Sequence, residues 1–337
     1  MSAFQSLPVT ELLQKGSIDD LDVLKLKNAL HADGVITADE AEALMAVNET
    51  CHNQHLSWSA FYVDTLTDYF VNQVEPEGYL TAESAKRLTD RIAAGGVVAR
   101  KSDFDLVINI LDKSRWSPVS LSRLALEQVR LAVASGDGPL RACTPGDAAA
   151  IREWEVELVR RILYAFGGER PVAITRAEIE VLFDINDAIA DPQANAAWTD
   201  LFVKAVTNVV MAASGQGVPT REDALRRDAW LMEAKGELSP LALLSAMVSS
   251  SLDAVRATYR EQSVEERALT RLEQQRVEII TNEEIGQADA AWLCERIGRD
   301  GRLSPNEAAL VAYLRRESPA SIHPALQAAV ARLAVAA

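Results

Sequence analysis

The sequence predicts an all-α protein of internally duplicated helical bundle units, with a partial third unit at its C-terminus. Three observations carry this. Apolar residues recur with a period near 3.6, as in Ala41, Leu44 and Val47 or Ile179, Leu182 and Ile185, which puts them on one helical face. A short turn of Gly, any residue, an aliphatic and then Ser or Thr separates these stretches repeatedly. The segment that starts at Ile36 also returns at Ile174, the mark of a repeat architecture.

The repeat holds in order over a long stretch. Ile36, Thr37, Glu40, Glu42, Leu44 and Asn48 match Ile174, Thr175, Glu178, Glu180, Leu182 and Asn186. Two residues are then gained, and Trp58, Val63 and Thr67 match Trp198, Val203 and Thr207. One is lost again before Gly78, Thr81, Glu83, Ala85 and Arg87 match Gly217, Thr220, Glu222, Ala224 and Arg226. A partial third copy closes the chain: Ile18, Asp22, Leu26, Asp33, Gly34, Glu40 and Ala41 match Ile285, Asp289, Leu293, Asp300, Gly301, Glu307 and Ala308.

Helices are predicted over 19–31, 38–50, 57–74, 82–94, 102–113 and 118–134 in a first unit, residues 1–135. The second unit, 146–262, follows with 147–166, 176–190, 196–213, 221–234 and 239–261. A last part, 263–337, carries 264–279, 284–298, 305–316 and 321–335. The turns set the boundaries. In Asp33-Gly34-Val35-Ile36-Thr37, Glu77-Gly78-Tyr79-Leu80-Thr81, Lys235-Gly236-Glu237-Leu238-Ser239 and Asp300-Gly301-Arg302-Leu303-Ser304, Gly supplies the positive φ that ends a helix. Ser or Thr then caps the next helix. Gln216 to Thr220 and Gly167 to Thr175 are variants. Thr37 with Glu40, Thr175 with Glu178 and Ser304 with Glu307 form capping boxes. Pro240 and Pro305 stand at the first helical position, where no N–H is needed. The Gly/Pro-rich stretch Ala134 to Gly146 reads as the linker. Glu261–Asn282, dense in Glu, Arg and Gln, reads as a solvated connecting helix or an oligomer contact. No alternating strand stands out.

Composition bounds the function. With 337 residues and 48% hydrophobic content the chain can bury full cores. Aromatics are 6%, which favours helix over sheet. A formal charge of −15 argues against a nucleic-acid partner. Cys51, Cys143 and Cys294 are scattered, without a CxxC, and read as reduced cytosolic thiols. Met1 to Leu13 lacks the basic-then-apolar pattern of a signal peptide. No apolar run reaches the roughly 18 residues of a membrane span.

Several residues invite a functional reading. The Gly turns resemble EF-hand loops, with Gly34 at the sharp turn, Ile36 at the aliphatic position and Glu40 at the final carboxylate. Calcium needs oxygen at the first and third positions too, and these hold Ala29 and His31, or Arg296 and Gly298 in the last copy. The turns therefore read as caps, not calcium sites. Around Cys51-His52-Asn53-Gln54-His55, the residues Glu49, His52 and His55 have the spacing and donor types of a zinc-like site. An exposed polar helix end is the simpler reading of the same residues. Glu180, Asp184, Asp187 and Asp191 form one acidic stripe, either a solvated face or a collector of divalent cations. Asn48 and Asn186 fall on buried faces, where an amide must find partners. They tie helices together or floor a small pocket. Trp58 and Trp198, at matched helix starts, read as core. No P-loop, HExxH or nucleophile signature is present.

The run from Asp33-Gly34-Val35-Ile36-Thr37 to Glu40, and again from Asp300-Gly301-Arg302-Leu303-Ser304 to Glu307, resembles the TerB-like (tellurite-resistance) helical domains. The resemblance implies an all-helical bacterial cytoplasmic domain linked to stress response or membrane-associated complexes, with acidic divalent-metal sites in some members. The expected role is a non-enzymatic interaction, scaffold or regulatory protein without a cofactor. It would have a protein partner, no nucleic acid, no membrane insertion, and self-association as an option. A divalent-metal-binding stress protein is the alternative, and an enzyme with an unrecognised site comes last.

Overall fold

The computed structural model describes residues 9–30, 34–141, 148–164, 174–191, 195–212, 292–293, 295–299 and 303–317. Among them run eleven helices: α1 (Val9–Lys15), α2 (Asp20–Leu30), α3 (Ala38–Thr50), α4 (Leu56–Asp68), α5 (Ala82–Ile92), α6 (Lys101–Lys113), α7 (Val119–Ser135), α8 (Glu153–Leu163), α9 (Arg176–Ala188), α10 (Ala196–Ala212) and α11 (Pro305–Glu317). Helix makes up 71% of the described residues. The extended pairings among them are two ladders of two-residue strands and one bridge, so the fold is all-α. In the first ladder β1 (Ser17–Ile18) runs parallel to β2 (Asn53–Gln54), pinning the α1–α2 link to the α3–α4 link. In the second, β3 (Ala93–Ala94) and β4 (Val97–Val98) make a small hairpin between α5 and α6.

The capping boxes form as their residues require. The Thr37 hydroxyl accepts from Glu40 N at 3.3 Å, and Glu40 Oε2 accepts from Thr37 N at 2.9 Å. Thr175 with Glu178 repeats this at 3.4 and 2.8 Å, and Ser304 with Glu307 at 3.2 and 2.7 Å. Each cap is worth about 1 kcal/mol. Gly78 sits at φ +88°, which favours glycine, and a Cβ there would press on the Arg115 side chain, with Cδ at 3.1 Å.

The elements depart from expectation in four places. A helix precedes residue 19, because α1 is too short to show a period and buries only Leu12. The helix expected over 57–74 ends at Asp68 and continues as a π-helical turn, Tyr69–Gln73. The one expected over 147–166 starts only at Glu153. Ahead of it Ala149 takes φ +62°, and its backbone donates to Val133 and accepts from Ala190, fastening the ends of α7 and α9. Two-residue strands appear where none was expected. The helices expected over 221–234, 239–261, 264–279 and 321–335 lie outside the described residues. So do Asp33, Asp300 and Gly301, the turns at 216–220 and 235–239, Cys143 and Cys294.

Packing follows a repeated order. α2 lies on α4 as α8 lies on α10, α4 on α6 as α10 on α11, and α1 on α3 as α7 on α9. Buried apolar side chains form one contiguous core from Leu12 to Leu314. Trp58 and Trp198 are fully buried in it. Among the described residues no helix is long and apolar enough to cross a membrane.

Candidate functional site

The two buried asparagines organise the interior. Asn48, near the end of α3, accepts at Oδ1 from Trp58 Nε1 at 2.9 Å and from the Ser102 hydroxyl at 3.1 Å. Gln54 Nε2 adds a third donor at 3.2 Å. Its Nδ2 donates to Asp103 Oδ1 at 2.9 Å, and that oxygen also accepts from the Tyr62 hydroxyl at 2.7 Å. Three helices, α3, α4 and the first turn of α6, are thus joined through one amide. Burial holds the Asp103 carboxyl above its ordinary value, against the opposing pull of Tyr62, Arg100 and Asn48. Burial beside that carboxylate also pushes the Tyr62 hydroxyl up.

Asn186 repeats the arrangement. Its Oδ1 accepts from Trp198 Nε1 at 3.3 Å and from Asn306 Nδ2 at 2.8 Å, and its Nδ2 donates to the Ser304 hydroxyl at 3.2 Å. The Thr199 hydroxyl donates to Asn306 Oδ1 at 2.5 Å. α11 therefore stands to α9 and α10 as α6 stands to α3 and α4. The rings agree as well: Trp58 and Tyr62 are tilted by 33° at 5.8 Å, Trp198 and Phe202 by 34° at 6.1 Å. One chemical difference separates the clusters. The first has a carboxylate met by a phenol, Asp103 and Tyr62. The second has an amide, Asn306, and Phe202 stands at the position matching Tyr62.

The acidic stripe on α9 has an occupant in the same chain. The Arg296 guanidinium reaches Glu180 at 3.1 Å, Asp187 at 2.9 Å and Asp184, and lies 5.1 Å from the Phe183 ring. Trp292 Nε1 donates to Glu180, and the Arg176 guanidinium lies over the Trp292 ring at 4.5 Å. Arg296 is 4% exposed, while the three carboxylate side chains keep 38–45%. Burial raises the Asp187 carboxyl and Arg296 lowers it. Three of the stripe's four carboxylates seat an arginine of the same chain on one side and stay open to solvent on the other. Asp191 stands three residues beyond the end of α9.

Glu49, His52 and His55 point to separate tasks. Glu49 pairs with Arg91 at 2.5 Å. The His52 Nδ1–H donates to the Thr50 carbonyl at 2.8 Å. His55 caps α4, its Nδ1 accepting from Ser57 N at 3.3 Å and lying 3.5 Å from Asp20. Helix α3 ends at Thr50 and Cys51 is extended, so the helical spacing that would gather the three is lost. Among the described residues no three His, Cys, Asp or Glu side chains are grouped as metal ligands. The Cys51 thiol is buried against the Leu12 carbonyl at 3.4 Å, and burial pushes it up.

Two interior charged features had no sequence signal beyond helix starts. Glu178 is wholly buried and accepts the Ser122 hydroxyl from α7 at 2.6 Å, which carries its cap into the α7–α9 contact. Burial raises its carboxyl. Arg141 and Glu155 form an ion pair at 3.0 Å at the start of α8, both fully enclosed. No protein-family model, curated protein or solved structure matches the chain. The likeness to TerB-like domains therefore rests on its turn residues alone.

Proposed function

We propose that the chain acts as a non-enzymatic interaction, scaffold or regulatory protein. The observation that carries this reading is the use of its buried polar groups. In both clusters a buried amide joins three helices through fully enclosed hydrogen bonds. Such groups fix a shape, and a shape built by repetition offers extended outer surfaces to partners. The resemblance to TerB-like domains points to a bacterial cytoplasm, and the formal charge of −15 favours basic protein surfaces over nucleic acid. Elemental analysis of the purified chain, together with quantitative capture of interactors from the native host, tests the reading. Reproducible capture of a defined partner, without stoichiometric metal, is the expected result. Stoichiometric zinc or another divalent ion would overturn it in favour of a metal-binding stress protein. Loss of that metal on replacing His52 and His55 with Ala would locate the site at Glu49, His52 and His55.

A further inference from the structure

We draw no further inference here: the strongest candidate, the open groove between α10 and α11 lined by Val203, Ala309 and Ala312, carries none because nothing in the structure shows what covers it.

Discussion

Asn48 serves four side chains at once, accepting hydrogen bonds from Trp58, Ser102 and Gln54 and donating one to Asp103. Asn48→Ala removes all of these, strands an indole N–H in the core and leaves the Asp103 oxygen to Tyr62 alone. A loss of about 3 kcal/mol is expected, read from urea unfolding. Asp103 makes a contrasting prediction. Burial raises its native value above the ordinary 3.8, so the folded chain holds the proton longer than the unfolded one. Its contribution to stability is complete below 3.8 and is lost as pH rises through the raised native value. Asp103→Asn keeps an oxygen for Tyr62 and Asn48 and removes the ionisation. The variant should be more stable than the parent at pH 7, and the difference should shrink on acidification. Urea melts at several pH values check this. A variant that is less stable at neutral pH would show that the charge is needed, for instance by Arg100, 3.8 Å away. The sequence disclosed that Asn48 was buried by its place beside Leu44. It could not disclose Asp103, because the contact spans 55 residues.

Among the elements, the capped starts of α3, α9 and α11 were legible, since a capping box is written within four residues. The seat of Arg296 was not. Its partners lie 109 to 116 residues away, and the arginine itself looked like an obstacle to calcium in a loop. The consequence belongs to α11. Arg296 stands just ahead of it, and Glu307 in its first turn accepts from Gly298 N at 2.8 Å. Arg296→Ala should leave three carboxylates facing one another and loosen the docking of α11 on α9 and α10. The expected cost is about 2 kcal/mol, discounted because the acids are partly exposed. Hydrogen exchange should rise across Pro305–Glu317 and stay unchanged in Ala38–Thr50. The cost should fall in 1 M salt, where screening shortens to about 3 Å.

For the whole molecule, the all-α class was legible because periodicity and turn chemistry agreed along the chain. The order of packing was not, since α7 meeting α9 depends on buried pairs such as Ser122 with Glu178 that no local pattern announces. The cap contacts also decide what the Gly turns do with metal. Both oxygens of Glu307 are taken, by Gly298 N and Ser304 N, and Glu40 is turned onto Thr37. The carboxylates that would close an EF-hand loop are already helix caps. Millimolar calcium should shift the melting temperature of the full chain by less than about 1 °C, because a ligand stabilises only by binding the native state. A rise of several degrees, abolished by Glu307→Gln or Glu40→Gln, would show that the turns are calcium loops.

The π turn at Tyr69–Gln73 bears on how such a chain tolerates a change of length. Between Thr67 and Gly78 the first half is one residue longer than the second between Thr207 and Gly217. A single wide turn accommodates an added residue inside a helix, here between the Trp58 end and the Gly78 bend. The surplus is also put to use. Gln73 leaves this turn to accept from Ile36 N at 2.6 Å and reaches the Gly34 carbonyl, cinching the preceding loop. Anyone splicing α10 into the place of α4 would recover the core contacts of Trp58 but drop this clasp. Extra length in a helical chain can thus be converted into a fastening between neighbours.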